Sequence, residues 1–423
     1  MTATNPAQPS GERLALLYRL SQTFNSSLDL DEVLNRVMDE VVSVTRAERG
    51  FVMLHGMGDQ PDFRVARGMD QSTIDDPQFQ VSRSVVERVA REGQPVLADD
   101  AQVDDRFSMR KSVMLLGLRS ILCVPLTIKD KILGVVYVDN RLQAGIFNQP
   151  DLDLLTSIAS SAAVAIENAR LYQVAVDKGR MERELQMAYE IQADLLPHET
   201  PQIPGWEFAA RWCPAREVSG DYYDFIPGDE GQVGMVIADV SDKGMPAAIF
   251  MTLTRSIVRA SMSRISLPAD GIARANRLIC ADAATSGMFV TLFYALLDSE
   301  AGEITYVNAG HNPPLLYRAG QEQLLELTRT GMAMGVMDDE VYEQRTVRLD
   351  PGDFIVLYTD GVTDAMNAQE QEFGGQRLQR VILDRRRAPA TDIVAALEQA
   401  IGDFAVSTSP FDDVTMVVVK RLE

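Results

Sequence analysis

The chain has 423 residues, of which 46% are hydrophobic, and a formal net charge of −21 at pH 7. At roughly 150 residues per domain, this length predicts two or three domains with packed cores. The negative charge excludes broad binding to nucleic acid or to anionic membranes, since both need a surplus of Lys and Arg. The 3 cysteines and 3 histidines are too few and too scattered for a disulfide framework, a zinc site or a histidine-built metal site.

Residues 1–11 are small and polar, and we predict a disordered lead that lacks the features of a signal peptide. No run in the sequence approaches the ~18 apolar residues of a membrane span. We therefore expect a cytoplasmic protein. The first regular elements are predicted helices over residues 14–24 and 30–45, the second with Asp29 at its cap and apolar residues at spacings of three and four.

The next elements are a strand over residues 50–55, a helix over 81–92, a hairpin formed by SILCVPLTI and ILGVVYVDN, and a long helix from residue 149. This order, over about residues 12–170, resembles a GAF sensory domain. The resemblance implies an antiparallel sheet with helices, and an unknown small ligand or protein signal. Four residues loosely match the pattern of cyclic-nucleotide-binding members, with arginine in place of lysine: Asn140, Arg141, Phe147 and Asp151. The alternative is a hairpin end packed on its helix.

A helical linker is predicted over residues 171–196. Its side chains at alternating spacings of four and three form a short heptad seam: Met181, Leu185, Ala188, Gln192 and Leu195. One interpretation is a parallel two-stranded stalk that makes a homodimer. The alternative is an amphipathic helix packed on its own domain. Prolines at positions 197, 201 and 204 end the helix.

From residue 206 onwards, short strands alternate with turns and a few helices. We predict helices over residues 247–263, 267–285, 377–383 and 391–404, and a three-strand meander over residues 288–318. Further strands are predicted in the segments WEFAARWCPA, GQVGMVIADV, GDFIVLYT and VTMVVVKR. This texture is typical of a β-sandwich flanked by helices, so the whole chain is placed in the α+β class.

Aspartates recur at the ends of these strands. Asp239 follows the buried run MVIA and precedes a turn and a helix that starts near Pro246. Asp221, Asp360 and Asp412 stand in similar places. Each alone is more typical of a turn former or a helix cap. Together they predict an all-oxygen site for Mg²⁺ or Mn²⁺, because only cations can stabilise several like charges at close range.

Seven motifs in order resemble the SpoIIE-like branch of metal-dependent PPM serine/threonine phosphatases over about residues 190–421: SGDYYDF, ADVSDKGMPAAIFM, MFVTLFYALLD, YVNAGHNPPLLY, GMAMGV, LYTDGVTDA and FDDVTMVVV. The resemblance implies an αββα sandwich over residues 197–423. It also implies two Mn²⁺ or Mg²⁺ ions, bridged by Asp239 with the carbonyl of Val240. The other implied catalytic ligands are Asp221, Asp360 and Asp412.

Other residues receive weaker assignments from the resemblance. Asp224 and Asp413 are secondary ligand candidates, with capping or a surface charge as the alternative. Arg216 is the candidate for binding phosphate, because a guanidinium suits phosphoryl oxygens; its alternative is a solvated charge. His311, in the motif AGHNPP, is interpreted as a loop organiser. Lys243 stands where many members carry histidine.

In the mechanism that the resemblance implies, the two ions activate a hydroxide that attacks phosphorus in line, so no protein nucleophile is needed. The helix over residues 247–263 and the GMAMGV segment resemble switch elements that make activity conditional. The leading hypothesis is a sensor-regulated phosphatase that removes phosphate from Ser or Thr of a small partner, an anti-anti-sigma STAS protein. The alternatives are a catalytically weak or silent ligand-binding adaptor in a partner-switching pathway, and a cyclic-nucleotide-responsive regulator.

Overall fold

The computed structural model describes residues 9–55, 61–68, 70, 81–104, 107, 113–114, 116–228, 231–263, 267–283, 286–405 and 412–422. The chain divides into two compact units, Met1–Arg180 and Met181–Glu423. Within the described residues, no helix is both long and apolar enough to cross a bilayer. The first helix begins at Pro9, so the predicted N-terminal lead ends before residue 11; residues 1–8 lie outside the described part.

The first unit contains one antiparallel five-stranded sheet of order β2-β1-β5-β4-β3. Its strands are β1 (Arg49–His55), β2 (Pro61–Gly68), β3 (Val96–Ala98), β4 (Ser120–Ile128) and β5 (Lys131–Asn140). Its helices are α1 (Pro9–Phe24), α2 (Leu30–Thr45), α3 (Arg83–Glu92) and the start of α4 (Gln149–Leu195). The predicted hairpin is confirmed as β4 and β5, which pair around the turn at Lys129 and Asp130.

Helix α2 has the predicted bounds because its sequence supplies both an N-cap residue, Asp29, and a continuous apolar face. The side chain of Asp29 accepts a hydrogen bond from the backbone N–H of Glu32, which satisfies one of the helix's first N–H groups. Apolar residues at spacings of three and four are buried along one face: Val33, Leu34, Val37, Met38, Val41 and Val42. This face packs in the same apolar core as the inward side of α4.

The second unit contains two five-stranded sheets, of order β13-β10-β9-β8-β7 and β12-β11-β14-β15-β6. The first sheet consists of β7 (Tyr222–Pro227), β8 (Gln232–Val240), β9 (Val290–Asp298), β10 (Glu303–Ala309) and β13 (Arg345–Arg348). The second consists of β6 (Trp206–Cys213), β11 (Leu315–Arg318), β12 (Gln323–Glu326), β14 (Phe354–Tyr358) and β15 (Val414–Arg421).

Three apolar cores make this unit a four-layer αββα sandwich. The central core lies between the sheets and contains Met235, Phe293 and Val417. A second core joins the first sheet to helices α5 (Met245–Met262) and α6 (Pro268–Ala283). A third joins the second sheet to α7 (Gly374–Asp384) and α8 (Ala390–Phe404). The predicted fold class is thereby confirmed.

The predicted three-strand meander is wrong in its last strand. β9 and β10 form the expected hairpin, but β11 pairs with β14 in the other sheet. Periodicity shows that a segment is a strand without showing which neighbour it joins. The segment from residue 310 to 314 therefore crosses between the two sheets.

Helix α4 is continuous over 47 residues, Gln149–Leu195, as the sequence predicts. Its C-terminal end packs on the second unit: Tyr189 stacks on Trp212 with ring centroids 5.5 Å apart, and the side chain of Gln192 is only 4% exposed. This part of the predicted seam therefore packs on its own domain, as the alternative interpretation expected. Leu171, Val174 and Met181, nearer the middle of the helix, are exposed.

Candidate metal centre

The predicted aspartates lie at one edge of the sandwich. Asp221 directly precedes β7 and Asp239 is the penultimate residue of β8; the pair Tyr222 and Ala238 places both carboxylates at the same end of the first sheet. Asp360 follows β14 and Asp412 precedes β15, two antiparallel neighbours of the second sheet. Strand pairing therefore places two of the four acidic positions at adjacent strand ends in the first sheet and the other two at adjacent strand ends in the second.

Asp221 ties the two sheets together at this edge. Its Oδ2 accepts hydrogen bonds from Thr359 Oγ1 at 2.7 Å and from Thr415 Oγ1 at 2.8 Å. Both threonines belong to the second sheet's strand ends, while Asp221 opens a strand of the first. The carboxyl group is 2% exposed, so these two donors replace the water that it loses.

Asp413 organises the loop before Asp221. Its Oδ1 accepts a 2.7 Å hydrogen bond from the N–H of Ala215, and its Oδ2 accepts from Ser219 Oγ at 2.8 Å and from the N–H of Gly220 at 2.9 Å. Ser219 Oγ in turn accepts from the N–H of Asp221 at 3.0 Å. With its oxygens engaged in this way, Asp413 positions the loop that presents Asp221.

Burial, and after it mutual repulsion, raises the pKa values of three of these carboxyl groups. Burial, followed by the charges of Asp360 and Asp412, raises the pKa of Asp239 to about 7. Burial and the charges of Asp239 and Asp413 raise the pKa of Asp221 well above its usual range. Burial, then the charge of Asp412, raises the pKa of Asp360. The edge therefore holds more negative charge than it can stabilise by itself.

Within the described part of the chain, no three acidic, histidine or cysteine side chains stand close enough together to hold a metal ion as they are placed. Lys243 Nζ instead contacts Asp412 Oδ2 at 2.8 Å. The raised pKa values and the lack of a ready ligand cluster among the described residues are compatible. Carboxylate charges repel over several ångströms, whereas metal ligands must all lie within about 2 Å of one point. The carboxylates share an edge without closing on a common centre.

Two glycines allow the backbone to approach closely at this edge. A Cβ on Gly361 would lie 2.0 Å from the carbonyl oxygen of Asp413, so no other residue fits there without displacing the loop. A Cβ on Gly220 would lie 3.3 Å from the carbonyl oxygen of Val240, the predicted backbone ligand. Because glycine has no side chain, the segments that carry Asp360 and Asp221 can lie close to the neighbouring backbone at these two positions.

Asp224 is not brought to this edge. It is the third residue of β7, and its side chain faces α5, where Arg259 Nη1 contacts both its oxygens at 2.9 and 2.8 Å and Arg255 Nε lies 3.3 Å away. The strand's alternation explains the placement: Tyr222, two residues earlier, lies in the same core against the helices. We therefore leave Asp224 out of the ligand set.

Arg216, the predicted phosphate-binding residue, is exposed in the loop between β6 and β7. The structure gives it no hydrogen bond or ion pair to any described residue. Its position, one residue after Ala215, lies in the loop that Asp413 organises. The guanidinium is therefore accessible close to the acidic edge.

The end of α4 is bonded directly to this loop and to α5. Gln192 Nε2 donates to the carbonyl of Ser219 at 2.9 Å and to that of Ala248 at 3.3 Å, and the N–H of Ser219 donates to Gln192 Oε1 at 3.1 Å. One buried amide thus joins the linker helix, the loop before Asp221 and the first turn of α5.

The sequence reasoning missed four functional positions: Ser219, Thr359, Asp364 and Thr415. The charge of Asp364 raises the pKa of Asp360, and its backbone N–H donates to the carbonyl of Asp360 at 2.8 Å. Signals were present, because all four stand within the motifs SGDYYDF, LYTDGVTDA and FDDVTMVVV. Their roles depend on contacts across the two sheets, which spacing along the chain does not reveal.

The four residues of the first unit that match the cyclic-nucleotide-binding pattern make local structural contacts. Asn140 Oδ1 accepts from the N–H groups of Leu142 and Gln143, and Arg141 pairs with Glu48 at 3.0 Å. Asp151 Oδ2 accepts from the N–H of Asn148 at the start of α4. Phe147 is a buried member of the apolar core. These contacts match the alternative interpretation of a hairpin end packed on its helix.

Comparisons with known proteins identify both units. The family description SpoIIE, Stage II sporulation protein E, matches residues 229–422, and a GAF domain matches residues 27–167. Phosphoserine phosphatase RsbU from Bacillus subtilis is 30% identical over 241 residues, which cover 56% of this chain and 70% of RsbU. The chain belongs to the SpoIIE family of metal-dependent PPM serine/threonine phosphatases.

Two further relatives agree with this assignment. Protein IcfG from Synechocystis sp. is 33% identical over 266 residues, which cover 56% of this chain but only 41% of IcfG. The SiaA-PP2C domain of Pseudomonas aeruginosa shares the fold, with a TM-score of 0.53 and 20% identity over 59% of this chain and 100% of that domain. The first unit is thus a GAF domain, and the second is a SpoIIE-family metal-dependent phosphatase domain.

The acidic edge fits the divalent metal that this family uses. Its donors are carboxylate oxygens, the ligands that hard cations prefer. Burial and neighbouring carboxylates raise the pKa values of Asp239 and Asp360, and a bound cation would favour their ionised forms.

Proposed function

We propose that this chain is a sensor-regulated protein phosphatase that hydrolyses phosphoserine or phosphothreonine on a small signalling partner. The observation that carries the proposal is the placement of four strand-end aspartates along one edge of the αββα sandwich. In this proposal the GAF domain spans residues 12–170, a helical linker spans 171–196 and the phosphatase domain spans 197–423. The signal received by the GAF domain is a small ligand or a protein.

The proposed ligands of two Mn²⁺ or Mg²⁺ ions are Asp221, Asp239, Asp360, Asp412 and the carbonyl of Val240. When bound, such a pair supplies an activated water and neutralises the phosphoryl oxygens. The chain's own residues do the positioning. Thr359 and Thr415 hold Asp221, while Asp413 shapes the loop that also carries Arg216. Arg216 orients the phosphoryl group through its planar pair of N–H donors.

The proposed substrate is a phosphorylated anti-anti-sigma STAS protein. Support comes from RsbU, a relative whose name describes it as a phosphoserine phosphatase. The chain covers less than half of IcfG, so this substrate assignment is our proposal for the protein as a whole.

Hydrolysis of p-nitrophenyl phosphate with and without Mn²⁺ tests the activity. Wild type should show a Mn²⁺-dependent rate that Asp239→Asn loses. Asp350→Asn is the matched control, since Asp350 is a 71% exposed carboxylate in the same domain and should keep the rate. Absence of any rate in the wild type, even with a phosphorylated STAS protein, would favour the silent adaptor instead.

We also propose that the linker makes a homodimer. The exposed residues Leu171, Val174 and Met181 follow one heptad register, with Lys178 at the intervening position. An exposed apolar stripe on a long helix is stabilised when a second copy covers it. Light scattering of the full chain should report a dimer in the wild type and a monomer for Leu171→Glu combined with Met181→Glu. Val176→Glu, which changes an exposed residue outside the register, should leave the dimer intact.

A further inference from the structure

The second unit carries a cleft at the far end of β15 from the acidic edge. β15 begins at Val414, beside Asp412, and the cleft is lined by Lys420, near the other end of the strand. At about 3.3 Å per residue, this length of strand separates the cleft from the acidic edge by roughly 20 Å. The cleft has a volume of about 470 Å³, which lies in the range of small-molecule sites. It is therefore distinct from the proposed metal centre.

The second sheet supplies one row of side chains to this cleft. Lys420 of β15 pairs in register with Glu207 of β6 on one side and with Phe354 of β14 on the other. Phe354 pairs in turn with Tyr317 of β11, and their rings stack with centroids 4.9 Å apart. Residues that pair directly project to the same face of a sheet. This face is the outer one, which packs against α7 and α8.

Lys420 is a buried cation whose printed partners are neutral. The residue is only 8% exposed, and its Nζ donates to the carbonyl of Ala388 at 2.7 Å and to that of Arg386 at 3.5 Å. Among the described residues, no carboxylate forms an ion pair with it. Its neighbour Glu207 instead accepts a 3.0 Å hydrogen bond from the N–H of Ala390. A buried charge without an opposite charge is stabilised by an anion.

Two arginines of the loop between α7 and α8, residues 385–389, also line the cleft. Arg387 is exposed, and the described part of the chain gives it no hydrogen bond or ion pair. Arg386 Nη2 lies 3.8 Å from Glu322, whose side chain is 62% exposed, and such a surface pair contributes little. The cleft thus brings three cations together in a chain whose net charge is −21.

From this arrangement we infer that the cleft binds the phosphate group of a small molecule. A phosphate group carries nearly two negative charges at neutral pH and three strong acceptor oxygens, which suits several cations better than a single carboxylate does. Lys420 supplies a compact charge, and Arg387 supplies the planar pair of N–H donors that matches phosphate. The hydroxyl of Tyr317, which has no hydrogen bond to a described residue, is a further donor.

A purely structural role of Lys420 makes a different prediction. If its only task is to hold the 385–389 loop through the two carbonyls, its loss lowers stability without affecting any ligand. That role also leaves Arg387 without a function. Arg387 is therefore the better residue for the test, because an exposed side chain without a bonded partner can be removed without harming the fold.

Calorimetric titration of the full-length protein tests the inference, with inorganic phosphate and glycerol 3-phosphate as the two probes. The protein is first freed of divalent metal, so that the acidic edge does not contribute a metal-bound phosphate. Wild type should bind one equivalent of phosphate, and Arg387→Ala should weaken that binding by about tenfold or more, the usual effect of losing a charged hydrogen bond. Lys420→Met should weaken it similarly and should also lower the urea midpoint.

Two controls locate the binding. Arg385→Ala removes an exposed arginine of the same loop that does not line the cleft, and should bind phosphate as the wild type does. Arg216→Ala, at the acidic edge, should also keep wild-type binding. Loss of binding in either control would overturn the inference, because the phosphate would then be held by the general charge of the loop or at the acidic edge.

The remaining outcomes are equally distinct. Tighter binding of glycerol 3-phosphate supports the cleft as a site for an organic phosphate, and equal binding of both probes supports it as a site for free phosphate. No binding of either probe by the wild type, or unchanged binding in both Arg387→Ala and Lys420→Met, overturns it. The phosphatase activity is tested separately with Mn²⁺, so the failure of one proposal leaves the other standing.

Discussion

The side chain of Gln192 forms hydrogen bonds with both the N–H and the carbonyl of Ser219. The linker helix is thereby attached to the backbone two residues before the metal-ligand candidate Asp221. The same amide reaches Ala248 in α5. A shift of the helix by a fraction of a turn cannot preserve all three contacts. The position of α4 is therefore coupled to the shape of the acidic edge through one residue.

Replacing Gln192 by Leu should lower the Mn²⁺-dependent rate of phosphate hydrolysis by at least about tenfold, because the backbone N–H and carbonyl of Ser219 then lose their partner and the loop can move. The domain should also lose roughly 1–3 kcal/mol of stability, the cost of leaving buried polar groups unpaired. Steady-state kinetics and urea unfolding measure the two effects. Met187→Ala changes an exposed residue of the same helix, more than one turn earlier; it is the control and should change neither.

Gly361→Ala should disable the metal centre. The added Cβ would lie 2.0 Å from the carbonyl oxygen of Asp413, so either the Asp360 loop or the Asp412 segment must move. We expect metal affinity to fall on the order of 10–100-fold, with roughly 1–3 kcal/mol of strain in the folded state. Calorimetric titration with Mn²⁺ checks the first figure and urea unfolding the second.

Gly320→Ala is the matched control for that experiment. No atom lies within 4 Å of a Cβ at Gly320, and its backbone conformation suits any residue. Stability should stay within about 1 kcal/mol of the wild type, and metal affinity should be unchanged. Equal metal binding by Gly361→Ala and Gly320→Ala would show that the close approach to Asp413 has no part in the site.

The sequence predicted the aspartate edge because each carboxylate stands where an apolar strand ends, and strand ends of paired strands meet. It also predicted α2 with its observed bounds, since the N-cap residue and the apolar face are both features of the local sequence. The prediction failed where a contact joins distant segments. It placed β11 next to β10 in the first sheet, whereas β11 pairs with β14 in the second. Asp224 was grouped with Asp221, although strand alternation turns it towards the arginines of α5.

Gln192 shows why the remaining site could not be derived. In the sequence it is the one polar position of a heptad seam, which indicates register in a coiled coil. In the structure it faces the phosphatase domain and bonds two backbone segments. A helical pattern defines which residues share a face, but the surface that the face meets depends on the tertiary fold.

In the GAF domain, Arg49→Met should be strongly destabilising at neutral pH. Arg49 Nη2 pairs with Asp139 Oδ2 at 2.6 Å, and the Asp139 side chain is fully buried. Removing the arginine leaves a buried carboxylate without its cation, which costs about 3–5 kcal/mol. Calorimetric melting of the full-length chain should show an early transition for this domain. Arg88→Met breaks an exposed pair with Glu92 and should cost less than about 1 kcal/mol.

Acid should partly rescue Arg49→Met. Burial raises the pKa of Asp139 to about 6 even beside Arg49, and losing the arginine raises it further. A carboxyl whose folded-state pKa lies above its unfolded value binds protons more tightly when folded, so its stabilising contribution is present at low pH and lost as pH rises through the folded pKa. The difference in melting temperature between variant and wild type should therefore shrink from pH 7 to pH 5; a constant difference would contradict the buried charge as the cause.

The opposite pH dependence is expected from His311. Burial lowers its pKa from the ordinary value of 6.5 to about 4, with the charge of Arg329 acting in the same direction and the carbonyl of Tyr358 opposing it. Below pH 6.5 the unfolded chain binds a proton that the folded chain rejects, so stability is full above that pH and is lost as pH falls towards 4. The shift corresponds to roughly 3 kcal/mol. We expect urea unfolding between pH 7 and pH 4 to show this loss in the wild type and not in His311→Gln. The aspartates titrate in both proteins, so their contribution cancels in the difference, and parallel curves for the two proteins would refute a buried neutral imidazole.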